Sequence, residues 1–521
     1  SWLLHLLCLF TSPTGELETT LTMENFKVNA DNNGTRYFNQ AQNRDLSDEL
    51  KNLTMPEKPS RSDVWKYILQ IVNTERKNRF SDNDPEVSLL SKVGPANADL
   101  LFMALYNQPN NQWDLINAIN KMDLSGTPCK GMLLRMLPTN EQLIEAVIRN
   151  HWEADAKPIL IEKITWFNES GNSYGNNDKW IRALASLHDP SSYTLLLSYT
   201  KNQLKRNNYG HPLDDIRDLP GRLISTMVGE IWQEYRGKKN EGDFIGTAAS
   251  WGVTSALERA AEILNTPFNG SKEQQGLRNR AKEAIRNTTA CPDQLLDTEL
   301  AAWYTTNKSS LTFDPHLGRF LLHARPSVDQ EAPWPTPDNY MKKLGELAAK
   351  GETATIDDIA DALSRLVEGL DPAKDLPRIN QLRSLGNNAF NVLRDAAVKD
   401  PSVFKVLEYA NGKDHFNEGF VPGAYSAAAA DGNQTALDAL IHYKDHNWSL
   451  LSAIGGLRGA VNKNNPQAVD FVLAHYADPT TSTLPNAKDL QKALTDAIKD
   501  AANAGNEKAV AIYKEIQKNG K

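Results

Sequence analysis

Cysteine is scarce in this sequence, which limits what can hold the fold together. Only Cys8, Cys129 and Cys291 occur among 521 residues, and they lie far apart along the chain. An odd number of widely separated cysteines argues against a disulfide framework, and no pair has the short spacing of a zinc or redox motif. We therefore expect a chain without disulfides or metal, either cytoplasmic or a secreted bacterial protein.

Long apolar runs and an excess of positive charge are also missing. No run of 18 apolar residues occurs, so no transmembrane helix is predicted. The formal net charge is −8, which argues against a nucleic acid held by phosphate neutralisation as the partner. The stretch 272–286 is locally basic, but Glu273 and Glu283 interrupt it, as is typical of a solvated helix face.

The motifs of common catalytic sites are absent as well. No serine-nucleophile elbow or cysteine-nucleophile context occurs. The glycine-rich stretch 455–459 lacks the Lys-Ser/Thr that would engage phosphate and metal, and no strand precedes it. We interpret it as a site of close helix packing, and predict no catalytic residue and no cofactor.

The N-terminal stretch 1–60 differs in character from the rest. Residues 2–10 are apolar but follow no basic segment, so they are the remnant of a signal peptide, an extension ahead of Met23, or a helix that packs onto the domain. The extension is the interpretation we favour. Residues 24–60 are polar and end near Pro56 and Pro59, which predicts a partly disordered N-terminal extension over 1–60.

From Ser62 onward the apolar residues follow a helical period. In the stretch 62–72 they stand at positions 64, 65, 68, 71 and 72. No strand-like alternation longer than four or five residues occurs, and the nearest case is 166–170. The sequence therefore predicts an all-α fold.

Proline marks a candidate domain boundary. Four prolines fall within 324–339 without a helical period, as is typical of an extended linker. We predict an α-helical domain of divergent hairpins over 61–323, a linker over 324–339 and a helical repeat domain over 340–521.

One short pattern recurs near the C-terminus. Its four copies lie at 400–407, 432–440, 465–473 and 505–513. The matching positions Val403, Ala436, Ala468 and Ala509 are 33, 32 and 41 residues apart, and a loop-like insertion at 478–485 explains the longest interval. A helical run of small residues precedes each copy, so each unit consists of a small-residue helix, a polar turn and an apolar helix. A period near 33 with two helices per unit is typical of stacked repeats, which together predict an α-solenoid.

The turns between the two helices carry suitable residues. Gly432 and Gly505 can adopt positive φ at little cost. Asp400-Pro401 and Asn465-Pro466 place a capping side chain ahead of a proline at the first helical position.

These copies resemble the ankyrin repeat family in the half of the unit that reads Ala-x-x-Gly-Asn-x-x-Ala-Val/Leu-x-x-Leu. The resemblance covers residues 396–513, about a quarter of the chain. The Thr-Pro-Leu-His opening of the family is absent from all four copies, and the turn glycine is missing from two. A generic set of helical hairpins is the alternative. The resemblance implies binding to another protein and no catalysis.

A few aromatic and histidine residues are candidate binding residues. They are Trp251, Trp303, Trp448, His442 and His446. Tryptophans that converge on one surface form good binding platforms. His442 and His446 have the i, i+4 spacing that places two rings on one helix face, but Tyr443 stands where a metallopeptidase needs Glu, so no metal is predicted. His316 and His323 could also share a helix face.

Two functions follow from these patterns. The first is a protein-binding module or adaptor that uses a concave helical-repeat surface, such as a bacterial protein secreted to act on host partners. The alternative is an enzyme with an α/α toroid-like domain at 61–323 that acts on a glycan. A pocket with two or more carboxylates and an exposed tryptophan would favour the enzyme, and a shallow groove would favour binding.

Overall fold

The computed structural model describes residues 50, 52–72, 85–107, 112–171, 177–206, 211–323, 329–411, 413 and 420–520. The chain divides into two compact units, Ser1–Pro220 and Gly221–Lys521. Most of the predicted N-terminal extension, including the apolar residues 2–10, lies outside the described residues.

Helices make up most of the described residues of both units. In the first unit they are α1 Arg61–Val72, α2 Pro85–Ser91, α3 Ala98–Asn107, α4 Gln112–Asn120, α5 Cys129–Met136, α6 Ile144–Arg149, α7 Glu153–Ser170, α8 Asn177–Ala185, α9 Tyr193–Lys205 and α10 Pro212–Asp215. In the second unit they are α11 Gly221–Tyr235, α12 Gly242–Ser250, α13 Thr254–Asn265, α14 Lys272–Thr288, α15 Asp297–Asn307, α16 Pro337–Ala349, α17 Thr353–Val367, α18 Leu376–Arg383, α19 Asn387–Lys399, α20 Phe404–Asn411, α21 Phe420–Ala430, α22 Gln434–Ile441, α23 Leu450–Asn462, α24 Pro466–Ala477, α25 Ala487–Asn503 and α26 Glu507–Asn519.

A single two-stranded hairpin interrupts the helices of the described chain. Strands β1 Leu311–Asp314 and β2 Arg319–Leu322 pair antiparallel, with Leu311 opposite Leu322. The all-α prediction is confirmed apart from this hairpin, whose strands of four residues are too short to give a clear alternation. The expectation that His316 and His323 share a helix face is wrong, because one lies in the hairpin turn and the other follows β2. The stretch 166–170 belongs to α7.

Helices of the first unit pack in order along the chain. The short helices α4, α6, α8 and α10 each contact the next one, and the longer helix α7 contacts α9. Two of the short helices also pack on the longer helix that follows them, α6 on α7 and α8 on α9. Side chains on the buried face, such as Trp180, Ile181 and Leu184 of α8, are fully excluded from solvent.

The C-terminal helices of the second unit have a similar order. Helices α16, α19, α21, α23 and α25 contact one another in sequence, and α21, α23 and α25 each pack on the helix that follows them. One apolar core extends from Leu317 and Leu321 of the hairpin region to Ala509 in α26. Small residues allow close contact within it, since a Cβ on Gly459 would lie 2.7 Å from Ala430 Cβ.

The same backbone turn joins the two helices of three successive pairs. Gly432, Asn464 and Gly505 have positive φ values of 81°, 54° and 89°. The following residue donates its N–H to the carbonyl five residues back at 3.0–3.1 Å, in the pairs Asn433–Ala428, Asn465–Ala460 and Asn506–Ala501. This 6→1 bond is the Schellman arrangement that satisfies the last carbonyls of a helix. Gly252 and Val253 form the same turn earlier in the second unit, as His151 and Trp152 do in the first.

The residue after the positive φ caps the next helix. Asn433, Asn465 and Asn506 each accept the N–H of the residue three positions on, at 3.1–3.2 Å. In the first copy Asp400 accepts the N–H of Ser402 instead, at 3.0 Å. The predicted caps at Asp400 and Asn465 are therefore confirmed, as are the positive φ values of Gly432 and Gly505.

We expect Asn465→Ala to destabilise the second unit by about 1 kcal/mol, because the Ala468 N–H loses its acceptor. Asn465→Ser restores an acceptor and should stay within about 0.5 kcal/mol of the native chain. Urea unfolding of the full chain, with hydrogen exchange followed in peptides from α24, measures both. Equal losses for the two variants would show that the cap contributes nothing.

Side chains about one repeat period apart contact each other in both units. In the second unit the Gln434 amide donates to Gln467 at 2.7 Å, and Lys463 Nζ lies 3.4 Å from Asp431. In the first unit the Asn202 amide donates to Asn168 at 2.7 Å across a similar separation in sequence. These contacts therefore join helices whose residues are 32 to 34 positions apart in the sequence.

The predicted linker lies inside the second unit. Residues 329–336 are not helical, but Trp334 is only 9% exposed and stacks on Trp251 with ring centroids 5.9 Å apart. The backbone N–H of Gly221 donates to Ala332, and a Cβ on Gly221 would overlap the Trp334 ring. This stretch packs against α11 instead of spanning two bodies.

Candidate functional site

A groove of about 730 Å³ lies on the short helices of the first unit and is here called the charged groove. Its lining residues are Asn120, Glu145, Ile148, Arg149, Glu153, Lys179, Arg182, Ala183, Ser186, Asp214, Asp215 and Asp218. They come from α4, α6, α8 and α10 and from the ends of these helices, with Glu153 at the start of α7. The groove therefore crosses four short helices, each of which contacts the next.

Helical spacing explains why these side chains share one surface. On α8 the lining residues 179, 182, 183 and 186 follow the i, i+3, i+4, i+7 pattern of a single helix face. On α6 the lining residues 145, 148 and 149 repeat the start of that pattern about one repeat period earlier. The opposite faces of α6 and α8 are apolar and buried in the unit. The polar faces of both helices therefore line the groove.

Ion pairs connect the helices across the groove. Lys179 of α8 pairs with Glu145 of α6. Arg182 Nε lies 2.9 Å from Asp215 Oδ1 of α10. Each pair joins one short helix to the next, and these partially exposed contacts hold the helices in register more than they stabilise the unit.

One end of the groove has a rigid polar floor. Asn120 is only 5% exposed, accepts the N–H of Ala146 at 3.0 Å and donates to the Gln142 carbonyl at 2.9 Å. Its own carbonyl accepts Arg149 Nε at 2.6 Å. Arg149 is therefore anchored through one nitrogen, while its side chain remains exposed at the groove rim.

The groove carries a net negative charge. Five carboxylates and three basic side chains line it, for a net charge of −2. Asp214 pairs with Arg217 at 2.8 Å just outside the lining. Within the part of the chain that the structure describes, the carboxylates of Glu153 and Asp218 have no hydrogen-bond or ion-pair partner. These two groups are thus available to a positively charged ligand.

Asp215 is the most buried carboxylate of the groove. Its side chain is 13% exposed. Burial raises the pKa of Asp215, against the opposing effect of its hydrogen bond to Arg182. Because the guanidinium lies within hydrogen-bond distance, Asp215 acts primarily as the ionic anchor between α8 and α10.

Two of the residues predicted from the sequence meet in the second unit. The His446 ring stacks on Trp448 with centroids 4.5 Å apart, and its Nδ1 lies 3.0 Å from a Glu408 carboxylate oxygen. Tyr425 donates its hydroxyl to the same carboxylate at 2.6 Å and packs edge-on to Trp448. This aromatic cluster therefore joins three successive helix pairs.

The remaining predicted residues lie elsewhere. His442 follows the end of α22 at Ile441, while residues 443–446 form a 3-10 turn. The expectation that His442 and His446 share a helix face is therefore wrong. Trp251 is 5% exposed and packs on Trp334, and Trp303 is half-buried on α15.

Metal-type clusters are absent from the described residues. No three His, Cys, Asp or Glu side chains among them are grouped so as to hold an ion. Cys129 and Cys291 are free and buried, and burial raises the pKa of the Cys129 thiol to about 11. No helix in the described ranges has the length and apolar character needed to cross a membrane.

Comparison with known proteins gives no precedent for this arrangement. Neither a scan against protein-family models nor searches of curated proteins and of solved structures found a match to the chain.

The charged groove was missed in the sequence, although a signal for it exists. Glu145, Ile148 and Arg149 stand about one repeat period before Lys179, Arg182 and Ala183. Polar stripes that recur at the repeat period mark a face left open by stacking. Among the described residues no tryptophan or histidine lines the groove, and each of its charged residues has an ordinary local sequence context.

Proposed function

We propose that this protein is a protein-binding helical-repeat protein, an α-solenoid whose residues 396–513 are ankyrin-like repeats. One observation carries the proposal. Side chains about one period apart contact each other, and the same turn joins successive helix pairs. An array of that kind buries its apolar faces between neighbours and leaves one polar face of each pair exposed along its length. Such extended faces suit the recognition of another polypeptide.

The charged groove is the surface that best fits this role. It crosses four short helices, its volume is about 730 Å³, and the hydrogen bonds of Asn120 in its floor leave it preformed. Preformed surfaces lose little conformational entropy on binding, which favours affinity. The aromatic cluster around His446 packs mainly on itself, so it supports the array more than it offers a free face.

Blocking the groove should abolish capture of a partner protein. Ser186 is exposed at the groove wall, so Ser186→Trp fills the groove whatever the charge of its occupant. The purified full chain and this variant are used as baits in a lysate of the source cells. Proteins enriched by the native chain are then purified and titrated against both. We expect the variant to bind the partner at least tenfold more weakly, which corresponds to a loss of about 1.4 kcal/mol of binding free energy.

Thr194→Trp is the matched control for this experiment. Thr194 is exposed on α9, outside the groove, and its replacement adds an equally large side chain. Retention of the same purified partner with equal affinity by the native chain and by both variants would exclude the groove as the interface. Failure of the native chain to bind any protein directly would reject the proposal as a whole.

One observation favours the alternative function, an enzyme that acts on a glycan. The charged groove lies within 61–323 and contains five carboxylates, including Asp215 with its raised pKa. However, no tryptophan lines it, and its most buried carboxylate is held by Arg182. Release of reducing ends from a panel of oligosaccharides, lost in Asp215→Asn, would favour the enzyme over the binding protein.

A further inference from the structure

We propose that the charged groove takes an extended, lysine- or arginine-bearing segment of the partner protein. The inference rests on the proposed function and specifies the chemistry of its ligand. It draws on three properties of the groove: its length, its polarity and the sign of its unpaired charge.

The length of the groove fits an extended peptide. Neighbouring packed helices lie about 8–10 Å apart, so a groove across four of them extends over roughly 25–30 Å. A strand advances about 3.3 Å per residue, and roughly eight or nine extended residues therefore span it. A small metabolite would contact only one or two of the four helices.

The lining suits a polar backbone better than an apolar helix. Ile148 and Ala183 are its only apolar lining residues, and Ala183 is 2% exposed. An amphipathic helix docks through a row of apolar anchors in an apolar groove, which this lining does not provide. The exposed Arg149 guanidinium can instead donate to the carbonyls of an extended chain. Ser186 Oγ, whose proton goes to the Ala183 carbonyl at 2.7 Å, can accept a backbone N–H.

The unpaired charge selects a basic segment. Lys179 and Arg182 are neutralised by Glu145 and Asp215. Within the described residues Glu153 and Asp218 remain unpaired, and they lie at separate points of the lining, Glu153 at the start of α7 and Asp218 after the end of α10. Two separate carboxylates favour a chain with two or more basic side chains. The same net negative charge repels phosphate groups and so disfavours nucleic acid.

A defined peptide tests this inference without knowledge of the partner. The probe is a fluorescein-labelled nonapeptide of alternating Lys and Ala, titrated with the full-length chain and followed by fluorescence anisotropy. We expect saturable binding that weakens at least about tenfold between 0.1 M and 1 M NaCl, because the screening length falls from about 10 Å to about 3 Å. The matching peptide with Glu in place of Lys should not bind.

Charge variants locate the binding site. The double variant Glu153→Gln and Asp218→Asn should weaken the Lys peptide by about fivefold to tenfold, since each lost contact is a partly exposed charge pair. Glu162→Gln is the control, because Glu162 is an exposed carboxylate of α7 outside the groove. Unchanged affinity in the double variant, or equal binding of the Glu peptide, would overturn the proposal.

Competition with a polyamine tests whether the groove recognises a peptide or only a small cation. Spermine carries similar charge on a short chain, and we expect it to displace the labelled peptide only at far higher concentration. Displacement at concentrations equal to unlabelled peptide would assign the groove to polyamines and overturn the peptide proposal. If Ser186→Trp abolishes partner binding while the charge variants do not, the proposed function stands and only this inference fails.

Discussion

Replacing Asp99 by Ala is expected to destabilise the first unit by about 3–5 kcal/mol, because it leaves a buried charge without its partner. Arg61 of α1 makes two hydrogen bonds to the Asp99 carboxylate of α3, at 3.1 and 2.5 Å. The two side chains are only 8% and 1% exposed. After the substitution the guanidinium keeps one described acceptor, Asn97, at 3.1 Å. Urea unfolding of the full chain, with hydrogen exchange followed in α3, measures the loss.

Two companion variants make the interpretation specific. Arg61→Met combined with Asp99→Leu removes both charges and should recover most of the lost stability, since a well-packed apolar pair often replaces a buried ion pair at little cost. Asp155→Ala breaks the exposed pair with Lys130 and should cost less than about 0.5 kcal/mol. A loss below about 1 kcal/mol for Asp99→Ala would show that the pair is solvated.

Gly345→Ala should destabilise the second unit by about 2–3 kcal/mol, although alanine is the better helix former. Gly345 lies on α16 where it crosses α19. A Cβ there would lie 2.7 Å from the Ala389 carbonyl oxygen and 2.8 Å from its Cα. Because backbone atoms cannot rotate away, the two helices must separate and the core around Ala389 loses contacts. Hydrogen exchange in α16 and α19 during urea unfolding measures the change.

Gly455→Ala is the matched control with the opposite expected sign. Gly455 also lies within a helix, α23, but a Cβ there would meet no atom within 4 Å. The substitution should stabilise the protein by about 0.5–1 kcal/mol through helix propensity alone. If both substitutions changed stability in the same direction, close packing at Gly345 would not be the cause.

Local chemistry made much of the C-terminal fold predictable. Asn465-Pro466 specifies a cap and a first helical turn within two residues, and Gly432 specifies a positive φ, so neither depends on distant contacts. The stretch 455–459 is helical, as predicted, and a Cβ on Gly456 would lie 2.8 Å from Leu440. These features are encoded within a short window, and the structure confirms them.

The failures depend on information that is not local. Asn464 takes the place of the turn glycine in its copy, since asparagine tolerates the left-handed region. A search for glycine at the turn does not find this position. The hairpin at 311–322 is specified by pairing across a turn and by packing on α14 and α17, which no short window contains. His442 and His446 have helical spacing, but α22 ends at Ile441.

The candidate site was less predictable than the fold. The charged groove forms because packing brings polar side chains of four short helices to one surface, and each helix alone has an ordinary solvated face. Trp251 is a candidate binding residue by its type alone, yet it is buried against Trp334, which lies in a segment distant in the sequence. The sequence shows which residues are charged or aromatic, but it does not show which of them the packing of the helices brings together.

The order of helix pairs along both units also bears on how the chain acquires its structure. Each pair packs on the pair that follows it, so most of its partners are close in sequence and little loop entropy is lost before contacts form. Chains dominated by such near contacts fold quickly and can begin at any pair. Because synthesis is slow compared with these steps, early pairs can form while later ones are still being made on the ribosome. We therefore expect the fold to assemble progressively during translation, from the amino end toward the carboxyl end.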